Sequence, residues 1–444
     1  MLNLLYSNRM HNLLTHGNSN LMTHLKFSFT FYLLFTINAH AETLDDAWAT
    51  ALNTNHQIKA AQANTDVSQE QLQAAEGQNL PDLNVGSSYT QYNETPSAKT
   101  NIGGKSAQFA MQQDGSVRAQ AMASLPIYTS GKITHNINAA QANLDATQAN
   151  EKVAALNLKM QVADSYVAVL RLEDAVQVAQ SHIQSLESHA KDVKNLFEQG
   201  VVAKNDVLAA DVELLNAKQL LLQAANVYDN AKARYNQLLT RQLTAKVELA
   251  KNFPEPSKLT LENLNQSALN QRPELLVLNE QIEALHEQMQ AMKANLMPQV
   301  ALNGGYQYQQ NRYQAYEGLW QANVGVDWKL YDGSTNHKGE ALEKQALALK
   351  EQHEELSEQI LLEVRQIWLD TQEAQQRLQV AKQAIMQADE NLKVSTDRYQ
   401  QGLATHTEVI QAEDLRTKTH NNLNNATYDV ALATLRLKRA IGGF

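Results

Sequence analysis

Two hydrophobic periods divide the chain. In one long stretch Val364, Ile367, Thr371, Ala374, Leu378, Ala381, Ile385, Ala388 and Leu392 recur at alternating spacings of three and four. Another runs Val153, Leu156, Met160, Ala163, Val167, Leu170 and then, after one phase hop, Val176, Ala179, Ile183, Leu186, Ala190, Val193 and Phe197. This is coiled-coil spacing with small residues in the seam, which permits close helix approach. It predicts long helices over Thr134–Glu198 and Asn336–Gln400, each roughly 100 Å at 1.5 Å per residue. Such a rod far exceeds the ~30 Å hydrocarbon core of a bilayer and must project into water. Shorter helices are predicted over Leu44–Leu80, Asn205–Leu239, Leu261–Met297 and Thr407–Ala440.

Other segments alternate. Trp320, Ala322, Val324, Val326, Trp328 and Leu330 are interleaved with Gln321, Asn323, Asp327 and Lys329. Over Val117–Ile127 the odd positions are apolar, with Arg118, Gln120 and Ser124 between them, while Leu83–Gln91 and Val300–Gln309 alternate more weakly. Lengths near ten with one apolar face suit transmembrane β-strands, although a soluble sandwich would also bury one face. Tyr306, Tyr308, Tyr313, Tyr316, Trp320, Trp328 and Tyr331 crowd one short segment, with Tyr128 the first-half counterpart of Tyr331. An aromatic girdle at a membrane–water interface has this composition.

The pattern is written twice. Thr43-Leu44-Asp45 and Ala51-Leu52-Asn53 recur as Thr260-Leu261-Glu262 and Ala268-Leu269-Asn270, an offset of 217 shared by Pro81 with Pro298 and Tyr89 with Tyr306. Ile127-Tyr128 matches Leu330-Tyr331 at 203, and Gln199-Gly200 matches Gln401-Gly402 at 202. The fall from 217 to 203 places 14 extra residues in the first copy, around Asn93–Ser106. Repeat 1 therefore covers 42–252 (helix, strands at about 83–92 and 107–128, long helix, short helix). A linker at 253–258, with Pro254 and Pro256, cannot continue a helix. Repeat 2 covers 259–444, with strands at about 300–311 and 319–331.

The amino terminus reads as an export signal over 1–41. Lys26 precedes an apolar core from Phe27 to Ile37, and Ala39-His40-Ala41 is a small-x-small cleavage site, so the mature chain begins at Glu42. Residues 1–21 lack this pattern, which leaves Met22 as an alternative start. The full chain carries 37 basic and 47 acidic residues, a net −10, and the acidic balance argues against a nucleic-acid partner. With no cysteine, disulfides, thiol chemistry and a lipoprotein anchor are excluded.

No phosphate-binding loop, nucleophile elbow or His-Glu-x-x-His zinc motif is present. His182 and His189 lie seven apart, on one helix face, without an apparent third ligand, and read as solvated. The adjacent acids Glu354-Glu355 and Glu413-Asp414 diverge on a helix and read likewise. No enzyme, cofactor or metal centre is expected.

Four strands cannot enclose a lumen, and open edges are not tolerated in lipid, so the chain must oligomerise. The tandem copies, the Leu-Pro-Asp and Met-Pro-Gln leads into the strands, and the segments Gln199–Ala203 and Gln401–Thr405 resemble the TolC family of outer-membrane efflux proteins over nearly all of 42–444. The resemblance implies a mainly α fold with a transmembrane β-barrel: a homotrimer with one 12-stranded barrel, four strands per chain, continued by an α-helical coiled-coil tunnel in the periplasm. It implies an exit duct in the outer membrane lipid, serving an inner-membrane transporter through a periplasmic adaptor in a tripartite efflux or type I secretion system. Adaptor-docking tips map to Gly200, Val201 and Val202 and to Gly402, Leu403 and Ala404. The acidic rings that narrow the periplasmic entrance in that family map to Glu408 and, as an amide, Gln411, with Asp206 the first-copy counterpart of Glu408. The competing classes are a structural coiled-coil protein of the surface or periplasm, and the periplasmic adaptor subunit itself.

Overall fold

The computed structural model describes residues 41–256 and 258–444, so the expected signal segment lies outside the described residues except for Ala41. The first half contains α1 (Leu44–Thr54), α2 (His56–Gly77), β1 (Asp82–Gln91), β2 (Ser97–Ile102), β3 (Lys105–Ala110), β4 (Gly115–Tyr128), α3 (Lys132–Glu198) and α4 (Lys204–Leu238). The second contains α5 (Leu261–Gln271), α6 (Pro273–Ala294), β5 (Gln299–Gln309), β6 (Gly318–Asp327), α7 (Thr335–Gln400) and α8 (His406–Ala440). The helices have 11, 22, 67 and 35 residues in the first half and 11, 22, 66 and 35 in the second.

Two predicted helices are each broken in two. Asn55 ends α1 and caps α2: its backbone is extended, and its side-chain oxygen accepts from Gln57 N at 2.8 Å. Its Nδ2 also donates to Leu238 O at 2.9 Å, tying the break to the end of α4. At the equivalent place Pro273 opens α6, and the residue before a proline is driven out of the helical region. Arg272 takes that extended position, where its guanidinium reaches Glu363 at 2.7 Å and both Glu274 and the Ala440 carbonyl at 3.2 Å. Buried Leu44, Ala47, Ala51, Asn55 and Ile58 keep spacings of three and four through the first break, so a cap there, and a proline at the second, decide what spacing does not.

The main sheet has the order β1-β4-β5-β6, all antiparallel, with β1 and β6 as open edges. Pairing register puts Val85, Ala121, Tyr306 and Trp320 in one row across it. Leu125, Leu302 and Val324 form another row on the same face. The opposite face carries Asn84, Ser88, Arg118, Gln120, Ser124, Asn303, Gln307, Gln321 and Asn323, with Met122 and Leu319 as its apolar exceptions. A register shift between Pro126 and Tyr128 brings Tyr128, and not Ile127, opposite Val300.

The first half departs from the predicted two strands. β2 and β3 pair only with each other, as a separate two-stranded sheet spanning the 14 positions Ser97 to Ala110. The second strand was expected from residue 107; residues 107–110 instead belong to this hairpin, and the sheet strand starts at Gly115. The 14 extra residues inferred from the repeat offsets are thus an added hairpin, closed by Gly103 and Gly104 in the left-handed region.

The largest core lies where α1, α3, α4 and α8 meet. Leu158, Val162, Tyr166 and Leu170 of α3 pack with Ala47 and Ala51, Tyr235 and Leu239, and Tyr428 and Leu435. Glu42 is held at its rim by a two-pronged contact to Arg241, at 2.9 and 2.6 Å, and by the Tyr235 hydroxyl at 3.0 Å. The Tyr166 hydroxyl is shared between the carbonyls of Glu42 (2.7 Å) and Ala250 (2.6 Å), and burial raises its pKa to about 12.

Candidate functional site: helix-hairpin tips and the two-faced sheet

At the end of α3, Gly200 N–H donates to Phe197 O and Val201 N–H to Leu196 O, both at 2.9 Å. At the end of α7, Gly402 N–H donates to Tyr399 O at 2.9 Å and Leu403 N–H to Arg398 O at 2.8 Å. Both are Schellman turns, and Gly200 (φ +76°) and Gly402 (φ +74°) occupy their left-handed position. Nothing lies within 4 Å of where a Cβ would stand, so the demand for glycine is conformational and not steric. Val201, Leu403 and the glycines are exposed, while Val202 and Ala404 turn inward onto a small core of Val193, Ala210, Tyr399 and Val409.

The two turns start their next helices differently. Thr405 caps α8 in a capping box: Glu408 N–H donates to Thr405 Oγ1 at 3.3 Å, and the Glu408 carboxylate accepts from Thr405 N at 3.2 Å. In the first half Ala203 stands at the cap and offers no oxygen, so Asp206, also third in its helix, has no box to close. Glu408 and Gln411 are both exposed, one turn apart on one face of α8, as their spacing predicts; Asp206 is half-buried and accepts from Asn205 Nδ2 at 3.3 Å.

The two histidines read as solvated are not. His182 Nδ1 contacts Glu413 at 3.1 Å and Thr417 at 3.0 Å, and Ser185 donates to Glu413 at 2.8 Å. Glu413, also expected in solvent, is only 2% exposed, whereas its neighbour Asp414 is exposed. Glu354 and Glu355 are exposed as expected. His189 is 7% exposed and stacks on His406 of α8, with its Nε2 2.9 Å from His406 Nδ1. The ring of Tyr399, from α7, lies 5.2 Å from that of His189. Burial pushes the His189 pKa down to about 4, and the adjacent His406 adds to the depression against the pull of Asp192 and Glu413. His406 is also lowered by burial, and the Tyr399 hydroxyl is raised by it. Sequence reasoning missed His406 and Tyr399, because α3 meets α7 and α8 only through long-range packing. Among the described residues no cluster of three or more His, Cys, Asp or Glu could hold a metal.

On the sheet, the expected single girdle separates into two ends. Tyr306 and Trp320 face each other with ring centroids 5.4 Å apart, and Tyr308 lies two positions farther along the same face, opposite Ala119. Tyr128, Trp328 and Tyr331 lie at the opposite end, next to the helices, where Trp328 Nε1 donates to Leu296 O at 3.1 Å. Tyr306 lies six steps along β5 from Val300, the partner of Tyr128, which is about 20 Å at ~3.4 Å per residue. Trp320 (81%), Trp328 (57%) and Tyr331 (84%) are exposed. Among the described residues no helix is long and apolar enough to cross a membrane.

This arrangement has counterparts. The profile of the outer membrane efflux protein family matches residues 48–241 and 264–443. The outer membrane protein TolC of Vibrio cholerae is 24% identical over 299 residues, spanning 64% of this chain and 67% of that protein. The protein of the same name from Escherichia coli is 21% identical over 427 residues, 92% of this chain and 84% of that protein. The crystal structure of the outer membrane protein VceC from Vibrio cholerae superposes with a TM-score of 0.75 at 20% identity, over 90% of this chain and 96% of that one. With two-thirds or more of its length inside the family profile, and with this sheet and these helices, the chain belongs to the outer membrane efflux proteins, non-enzymatic transport ducts of the outer membrane.

Proposed function

We propose that the protein is the exit duct of a tripartite efflux or type I secretion system and works as a homotrimer. The observation that carries this reading is the main sheet: four strands, two open edges, one apolar and one polar face. Four strands are too few to surround a lumen, and unpaired edges are not stable in lipid. Three copies, each joining β1 to β6 of the next, make a 12-stranded barrel with a wet interior. The aromatic residues at both ends, Tyr306, Tyr308 and Trp320 against Tyr128, Trp328 and Tyr331, then sit at the two membrane interfaces.

The helix lengths of the two halves, which differ by one residue in the long helix alone, support tandem structural repeats over 42–252 and 259–444. The helices form a periplasmic tunnel, and the duct is passive: cargo is selected by an inner-membrane transporter. A periplasmic adaptor docks on the tips formed by Gly200, Val201, Val202, Gly402, Leu403 and Ala404. Glu408 supplies one ring of carboxylates at the entrance, Gln411 leaves the second ring uncharged, and Asp206 holds the closed helices. Planar-bilayer recording tests the reading. Weak ion conductance from a trimeric particle is expected, and a stable monomer without conductance overturns it.

A further inference from the structure

We propose that His189 and His406 form a proton-sensitive latch that holds the α3–α4 tip against the α7–α8 tip and releases it on mild acidification. The contact joins α3 to α8 directly, with Tyr399 of α7 against the same ring. A 2.9 Å approach of two ring nitrogens requires an N–H on one ring and a bare nitrogen on the other, so at least one imidazole is neutral. Two imidazolium ions cannot keep it. The Nδ1 of His189 has no partner, nor does the Tyr399 hydroxyl, so an added proton finds no acceptor in place.

A cavity of about 90 Å³, lined by Ser185, Ser188, His189, Asp192, Thr396 and Glu413 among others, gives water a way to the buried ring. The charged groups around the pair are Asp192 of α3 and Glu413 of α8 toward His189, and Asp206 and Glu213 of α4 toward His406. Glu413 is already engaged by His182, Ser185 and Arg416, so it is not free to take up the new charge.

The sign follows from linkage. In the latched state His189 titrates near 4, and once the tips part it returns toward the ordinary 6.5. The parted state therefore binds more protons between those values. Latching is complete above about 6.5 and weakens as pH falls toward 4, by up to tenfold in the closed-to-parted ratio per pH unit for one proton. That the parting widens a tunnel entrance rests on the duct reading; the latch itself does not.

The test is hydrogen exchange of the full-length protein in detergent at pH 7 and pH 5, corrected for intrinsic exchange rates. Backbone amides of residues 186–196 and 406–413 are expected to lose at least tenfold in protection, with the α1–α3–α4 core unchanged. His189→Phe keeps the ring packing and removes the more buried of the two titrating rings, so its tip protection is expected to fall much less than the wild type's between the two pH values. The double variant His189→Phe/His406→Leu removes both titrations, and its tip protection is expected to be flat between pH 7 and pH 5. A wild-type protein with no pH-dependent loss at the tips, or variants that lose protection as the wild type does, overturns the latch. A protein that shows the loss but forms no pore overturns the duct reading and leaves the latch standing.

Discussion

The Glu408 carboxylate folds back onto Thr405, within 3.2 Å of its amide and 3.1 Å of its hydroxyl. The acid proposed for the entrance ring therefore also completes a capping box, and the two roles separate by substitution. Glu408→Gln keeps an oxygen for the capping box and removes the charge; Glu408→Ala removes both. The alanine variant is expected to lower stability by about 1 kcal/mol and the glutamine variant by a few tenths. If the ring carboxylates set selectivity, both lower cation preference equally in single-channel recordings, and Gln411→Asp strengthens block by polyvalent cations. Unchanged selectivity in both Glu408 variants leaves the cap as the whole role of this acid.

Gly200 and Gly402 are at φ +76° and +74° with open space around them. A β-branched residue there meets no clash but must leave the left-handed region or bear its strain, a cost of about 1–2 kcal/mol per site. Gly200→Val and Gly402→Val are expected to impair adaptor binding in a cross-linking assay, with trimer yield unaffected. Normal transport by both variants removes the docking role from the tips.

Glu413 ties α8 to α3 through His182 and Ser185 from a position that is 2% exposed. Glu413→Ala leaves those polar groups facing a void, and a loss of about 3 kcal/mol is expected, as for breaking other buried pairs from one side. Thermal unfolding of the assembled protein checks it. A loss below about 0.5 kcal/mol means that solvent reaches the site.

The β2–β3 hairpin pairs with no other strand, and its neck is closed by Tyr92 N–H donating to Asp114 O at 2.6 Å. Deleting residues 97–110 and joining the neck with a short turn is expected to lower strand content by no more than the hairpin's own 12 strand residues in circular dichroism, and to leave assembly unchanged by sizing. Failure to assemble assigns the hairpin a part in the barrel.

Much of the fold was legible because its elements are long and strictly periodic. The predicted Thr134–Glu198 and Asn336–Gln400 appear as Lys132–Glu198 and Thr335–Gln400. Alternation likewise placed Val85, Ala121, Tyr306 and Trp320 on one face of the four-stranded sheet. What periodicity cannot see is a break that preserves phase: Asn55 and Arg272-Pro273 interrupt the backbone without disturbing the apolar count. Nor can it see which polar position a distant helix will cover. His189 reads as solvated for want of a third ligand and Glu413 because it diverges from Asp414 on a helix, but α3 packs against α8, and the packing of the two halves buries both. The tip glycines were legible for the opposite reason, since a left-handed turn after a long helix has a local signature.

The central claim, a duct closed by three chains, is tested most directly across the open sheet edges. The chain has no cysteine, so engineered thiols are its only ones. Pairs placed along the two edges, for example Ser87→Cys on β1 with Ala322→Cys on β6, are stepped in register and oxidised in membranes. At least one register is expected to give a covalent ladder ending at three chains. A ladder that stops at two, continues beyond three, or never leaves the monomer contradicts it.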